Sequence, residues 1–252
     1  MKCVSFKTLT LIVAVALTLS ACGGGGGDDP APASAAPVAS VPQGVYGGTL
    51  TNGGVFDMLA LENGEVWALY GTQNSSTFVV RGLVQGTFAD AKDFGYAPAL
   101  PVRVAAQYDA ASKTMQGSIA ASGSALVGFN GGPIAGSQYN YDQPASMSVI
   151  ARSWITQAST GETLSFSVDG AGILNGSGSS GCRYSGWVAP RASGKNVFDV
   201  TVTFAGAPCT LAGQRVSGIA VAYALDLYTM QLVVGLVDAL RTVGLTTVGT
   251  RM

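Results

Sequence analysis

Histidine is absent from the 252 residues of this chain, and that absence excludes several kinds of active site. Ser-His-Asp and Cys-His catalysis both need an imidazole base, and the commonest zinc sites need an imidazole ligand. The sequence also lacks the Gly-x-x-x-x-Gly-Lys pattern that holds phosphates and the spaced Asp/Asn pattern of a calcium loop. We therefore expect no metal site, no cofactor and no catalytic residue of these types.

Charged residues are scarce, at 11% of the chain, and the two signs nearly balance, with 13 Lys and Arg against 14 Asp and Glu. No basic stripe is present to neutralise phosphates, so we expect no nucleic-acid partner. Glycine, in contrast, is abundant, with 35 residues, and alanine, serine, threonine and valine are also frequent. This composition is typical of a secreted β protein and not of a helical cytosolic enzyme.

Long hydrophobic runs are missing as well, apart from one short run near the start. Lys2 and Lys7 precede an almost wholly apolar stretch, 9–19, which small residues follow at Ser20 and Ala21. This is the layout of a secretory signal peptide. The run has about 11 residues, whereas a helix needs roughly 20 to cross a hydrocarbon core. We expect an export signal at residues 1–21 and no permanent transmembrane helix.

The tetrad Leu19-Ser20-Ala21-Cys22 resembles the lipobox of bacterial lipoproteins. That resemblance implies cleavage before Cys22 and acylation of its thiol and its new amino group, with palmitate-like chains. Two or more acyl chains give a stable membrane anchor. Gly23 after the cysteine resembles the pattern that directs lipoproteins to the outer membrane of Gram-negative bacteria. The alternative is a simple cleavable signal peptide beside a cysteine without a role.

Residues 22–43 contain five consecutive glycines, two aspartates and a Pro/Ala/Ser-rich segment. Such a composition cannot bury enough apolar area to fold, so we expect a flexible, disordered tether between the anchor and a folded part.

Cysteine is rare, and its four residues fall into two groups: two near the N-terminus and two in the predicted folded part. Cys3 leaves with the signal peptide and Cys22 would carry lipid, so Cys182 and Cys209 remain as a pair in an oxidising compartment. An even pair of this kind predicts a disulfide bond. A metal pair and a reactive thiol are the alternatives, but the chain has no histidine and no second cysteine pair that could complete a zinc site.

Short runs rich in β-branched and aromatic residues recur from Gly44 onward and predict an all-β, antiparallel chain of roughly 12 to 14 strands. Asn63-Gly64 is a hairpin signal, and 109–113 predicts a second turn. The predicted strands of the first half are 44–50, 55–61, 65–71, 77–88 and 102–120, the last folded into a hairpin.

The second half continues the pattern after an irregular segment, 122–146, which we interpret as a connection or long loops. Alternation is clearest at 196–204, where Phe198, Val200, Val202 and Phe204 share one face. The apolar positions of Leu232–Gly244 fit both the period of a helix and the period of a strand. Its β-branched residues and internal glycine favour two strands joined by a turn. The predicted strands are 148–156, 163–169, 182–188, 196–204, 215–225, 231–237 and 243–249.

Glycines inside these strands, such as Gly186, Gly218 and Gly235, permit the bends and bulges that closed sheets need. They favour meanders that curl into one or two small β-barrel-like units, although glycine could also be mere filler. The overall pattern resembles anchored lipoproteins with lipocalin-like or streptavidin-like barrels. We divide the folded part into an N-terminal β lobe at 44–146 and a C-terminal β lobe at 147–252; a single larger barrel with an inserted loop is the alternative.

Carboxylates are the remaining candidates for chemistry, since a glycosidase-like hydrolase needs only two of them at a suitable separation. Most lie at predicted turns or solvent faces, where acids serve solubility, and Ser177, Ser179 and Ser180 lie in a segment typical of a flexible turn. Asp57 and Asp199 stand out because they lie inside strands. The acids considered are Asp57, Glu62, Glu65, Asp90, Asp93, Asp169, Asp199, Asp226 and Asp238.

The expected function is therefore that of a non-enzymatic envelope lipoprotein, located at the outer membrane. Its partners would be the membrane, through the acyl chains, and a protein, a glycan or a small apolar ligand bound by the β domain. If the sheet closes, some of its aromatic side chains would line an interior able to hold a small apolar molecule. An envelope hydrolase with paired carboxylates is the alternative.

Overall fold

A computed structural model describes residues 41–74, 77–121, 124–134 and 136–251. The predicted signal peptide, Cys22 and most of the predicted tether lie outside these residues. The described part contains sixteen strands that form two closed antiparallel barrels of eight strands each. Both barrels belong to one compact unit. The all-β, barrel-like fold that the sequence predicts is confirmed, with more strands than expected.

The first barrel follows chain order, and each strand pairs with the next. It closes where β8 pairs with β1, with Gly48 opposite Gly131. A Cβ atom on Gly48 would lie 2.0 Å from the carbonyl oxygen of Asn130, so this closure requires glycine. The strands are β1 (Gly44–Leu50), β2 (Val55–Ala60), β3 (Val66–Asn74), β4 (Thr77–Gly86), β5 (Ala91–Asp93), β6 (Leu100–Asp109), β7 (Thr114–Ala121) and β8 (Ser124–Gly132).

The second barrel has the same topology and closes where β16 pairs with β9, with Val248 opposite Gln157. A short helix, α1 (Met147–Ile150), precedes it. Its strands are β9 (Ser153–Ala158), β10 (Thr163–Val168), β11 (Ile173–Gly178), β12 (Arg183–Pro190), β13 (Phe198–Phe204), β14 (Arg215–Ala224), β15 (Met230–Asp238) and β16 (Gly244–Arg251).

Several predicted turns are confirmed in detail. Gly64 adopts a φ of 80°, and the Asn63 side chain accepts a hydrogen bond from the Glu65 amide, so the Asn-Gly turn joins β2 to β3. The turn at 109–113 joins β6 to β7. The ambiguous segment 232–244 forms strand, turn, strand. Asp238 anchors that last turn by accepting bonds from the Thr242 and Val243 amides, each at 2.6 Å.

Three sequence interpretations were wrong. The segment 122–146 is not wholly irregular, since β8 lies within it and pairs on both sides. The strand predicted at 148–156 begins with α1 instead, because Ile150 is buried in the core and its carbonyl accepts a hydrogen bond from Trp154 Nε1. Ser177 lies in β11, not in a flexible turn. In the same strand, Gly176 faces the ring of Tyr184, which leaves no room for a side chain at position 176.

Side chains alternate across each barrel wall, as period-2 patterns require. In β13 the apolar set Phe198, Val200, Val202 and Phe204 is buried inside the second barrel, as the sequence predicts. The interior there is filled, with a residual apolar space of about 40 Å³. That space is far smaller than a ligand site, so this barrel is a packed core and not a binding cup.

Cys182 and Cys209 form a disulfide bond that links the start of β12 to the loop between β13 and β14. Both residues are buried, and the predicted pairing is confirmed. In the described ranges no helix is long and apolar enough to span a bilayer.

Candidate functional site

The strands β2 and β3 carry apolar side chains on both faces, because one face lines the first barrel and the other packs against the second. Leu59, Trp67, Leu69 and Leu83 point outward from the first barrel and are nonetheless buried. They form one cluster with Val197 and Ile219 of the second barrel and with Tyr141 of the connecting segment. Apolar packing therefore joins the two barrels.

Trp67 packs against the second barrel at two positions that are occupied by glycine. A Cβ atom on Gly218 would lie 2.7 Å from Cη2 of Trp67, and one on Gly235 would lie 3.0 Å from Cε3. Gly218 and Gly235 are neighbours on β14 and β15. The two glycines thus form a flat seat for the indole ring, which a side chain at either position would disturb.

Polar contacts hold both margins of the interface. At one margin Arg191 of the second barrel contacts Glu62 of the first at 2.8 Å and its own Asp199 at 2.7 Å. Burial by itself raises the pKa of Glu62, but the hydrogen bond and charge of Arg191 outweigh it and hold that pKa below its ordinary value. At the other margin Arg241 donates to the carbonyl of Gln85 at 2.6 Å.

A cavity of about 960 Å³ lies beside this contact, between the outer walls of the two barrels. Its walls are mainly aliphatic and aromatic, and both barrels and the connecting segment contribute to them. The apolar lining includes Val45, Leu59, Trp67, Leu69, Phe78, Val80, Leu83, Ile134, Ile219, Val221, Val233 and Val248.

Three polar atoms on residues that line this cavity are buried and have no hydrogen-bond partner among the described residues. They are Nε1 of Trp67 and Oγ1 of Thr156 and Thr246. The residues are exposed by only 7%, 1% and 2% respectively. These atoms have almost no solvent-accessible surface, so they do not face the open space of the cavity, although their residues contribute other atoms to its walls.

Asp57 carries the one ionisable carboxylate among the lining residues, and no Lys or Arg lines the described cavity wall. Its Oδ1 atom lies over Gly47 of β1, 2.9 Å from where a Cβ would be. Asp57 is an exposed residue, but the protein around its carboxyl group raises the pKa of that group by burial. Burial, together with the charge of Asp57, raises the pKa of Tyr223 to about 12.

Two tyrosines form the polar end of the same cavity. The rings of Tyr139 and Tyr223 pack with centroids 5.4 Å apart. The Tyr139 hydroxyl donates to the carbonyl of Asn196, and the Tyr223 hydroxyl donates to Gln231 Oε1 at 2.8 Å. Both phenolic donors are therefore engaged by protein acceptors, and neither serves Asp57.

The acids singled out from the sequence have different surroundings. Asp57 lines the cavity, whereas Asp199 and Glu62 come together on Arg191, where they act as an ion-pair network. Asp93 accepts a hydrogen bond from Tyr70 at 2.8 Å at the first barrel, and burial raises its pKa. Asp169 and Asp226 accept backbone bonds in turns. No group of three or more Asp, Glu or Cys residues in the described ranges is placed to hold a metal ion.

Sequence reasoning did not single out Trp67, Thr156, Thr246 or the glycine seat as site residues. One signal was available: 55–61 and 65–71 are apolar at successive positions, which is typical of strands buried on both faces. For Gly218 and Gly235 the sequence predicts only that they permit bends in their strands, and it does not indicate that they contact Trp67. Comparisons with known protein families and with curated proteins find no match to this chain.

Proposed function

We propose that this chain is an envelope lipoprotein, anchored through acylated Cys22, that binds a small, largely apolar ligand in the cavity between its barrels. The observation that carries the proposal is a cavity of about 960 Å³ with a mainly apolar lining that comes from both barrels. Ligand sites typically have volumes of about 300–1,000 Å³, apolar walls and a few placed polar groups. The protein acts by binding and not by catalysis.

The wall chemistry favours a small apolar ligand over a glycan or an extended protein surface. A sugar would bring many hydroxyl groups against aliphatic side chains such as Val221, Val233 and Val248, where they would lose hydrogen bonds to water. The alternative of a carboxylate hydrolase gains no support here, because a second acid beside Asp57 is missing from the described lining.

Filling the cavity tests the binding proposal. Val233 lies on the outer face of β15 and lines the cavity, so Val233→Trp should occupy the space that a ligand needs. We expect the wild type to bind the neutral dye Nile red and this variant to bind it at least about tenfold more weakly, which corresponds to about 1.4 kcal/mol. Dye fluorescence titration measures the difference.

Ser185→Trp is the matched control, since Ser185 is exposed on β12 and does not line the cavity. It should leave dye binding unchanged. Equal loss of binding in both variants, or no dye binding by the wild type, would contradict the proposal.

The anchor has its own test. Cys22→Ala removes the thiol that the lipobox resemblance assigns to acylation, so acyl labelling should vanish and the protein should move from the membrane to the soluble fraction. Metabolic labelling with a fatty-acid analogue and cell fractionation measure both effects. Ser20→Thr, which keeps the cysteine, is a control that should retain the label, and a Cys22→Ala protein that stays labelled would refute the anchor.

A further inference from the structure

The proposed ligand site contains one unbalanced charge. Asp57 is ionisable and lines the cavity, and no cationic side chain of the described residues shares that lining. None of the ion pairs between described residues includes Asp57, in contrast to Glu62, Asp142 and Asp199. Its charge is therefore presented to whatever fills the cavity.

The local structure keeps this carboxylate available. Gly47 lies directly across from Asp57 in the β1–β2 pairing, and its missing side chain leaves room for the carboxyl group at the wall. The nearby phenols do not neutralise it, because Tyr139 and Tyr223 donate to Asn196 and Gln231. No hydrogen-bond donor among the described residues contributes to the pKa of Asp57, and an opposite charge placed beside a carboxylate stabilises its charged form.

Resting on the proposed function, we propose that the ligand is an amphipathic cation: an ammonium head that faces Asp57, on an apolar body that lies along the walls of the cavity. The aromatic rings of Tyr139 and Tyr223 line the same space and add a favourable surface for an ammonium group. The aliphatic walls from Val221, Val233 and Val248 suit an alkyl or ring body. An anionic amphiphile would meet the Asp57 charge and bind least well.

Displacement of Nile red by three probes of equal chain length tests this assignment: decyltrimethylammonium, decanol and decanoate, each below its micelle-forming concentration. We expect the cation to displace the dye at a concentration about tenfold lower than decanol, with decanoate the weakest. Asp57→Asn keeps the shape of the side chain but removes the charge, so it should abolish the preference for the cation while leaving decanol displacement unchanged.

Asp90→Asn is the matched control, since it removes one negative charge from an exposed turn outside the cavity. It should keep the wild-type order of probes. If the cation and decanol displace the dye equally well, or if Asp57→Asn weakens both alike, the charge assignment is wrong while the apolar site stands. If no probe displaces the dye, the proposed function fails and this inference fails with it.

Discussion

Trp67→Ala is expected to lower the free energy of unfolding by about 3–5 kcal/mol, the range for removing a large aromatic side chain from a packed interior. Trp67 is only 7% exposed, although it points out of its own barrel. Its ring occupies the seat formed by Gly218 and Gly235, which have no side chains that could move in to fill the gap. The loss therefore leaves a void in the contact that joins the two barrels.

Chemical denaturation followed by far-ultraviolet circular dichroism measures this effect without depending on tryptophan fluorescence. Trp187→Ala is the matched control, because Trp187 is 49% exposed on the outer wall of the second barrel. We expect its loss to change stability by less than about 1 kcal/mol. Similar losses for the two tryptophans would show that the indole of Trp67 does not stabilise the contact between the barrels.

Replacing both Cys182 and Cys209 with alanine is expected to lower the free energy of unfolding by about 2–5 kcal/mol. The disulfide joins residues separated by 27 positions, so its loss frees a loop of that length in the unfolded chain. Both cysteines also lie in the buried core of the second barrel.

The measurement is the denaturation midpoint of the wild type and the double variant, each with and without dithiothreitol. The reductant should bring the wild type close to the variant and leave the variant unchanged, while Cys22 is kept in both proteins. A wild type that is insensitive to the reductant, or a variant as stable as the oxidised wild type, would contradict a stabilising role for this bond.

Much of the fold could be predicted because its signals are local. The alternation in β13, the Asn63-Gly64 turn and the β15–β16 hairpin each depend on residues within one or two strands. The disulfide was predictable by elimination, since the sequence analysis assigns Cys3 to a predicted signal peptide and Cys22 to a predicted lipid anchor. The strands and turns follow from the stereochemistry of short stretches of chain and do not need knowledge of distant neighbours.

The errors share a different physical origin. The strand β8 contains glycines that erase the alternating pattern, and it forms because β1 and β7 offer hydrogen-bond partners on both sides. Helix α1 forms where Ile150 and Trp154 close the core of the second barrel. The distant partner of β8 is β1, and that of α1 is the core to which Ile150 contributes beside residues of β13–β15, so packing far along the chain outweighs a weak local preference.

Local residue order was thus enough to define an all-β chain, its main hairpins and its cysteine pair, whereas the export and anchoring signals before residue 44 stay predictions. Packing in three dimensions decided that two barrels close, that Trp67 meets Gly218 and Gly235, and that the large cavity lies between the barrels and not inside the second one. The reason is that a side chain's direction follows from local periodicity, whereas the surface it meets depends on how distant strands are arranged. Asp57 illustrates the difference: the sequence places it in a strand, and only the second barrel places it in a cavity.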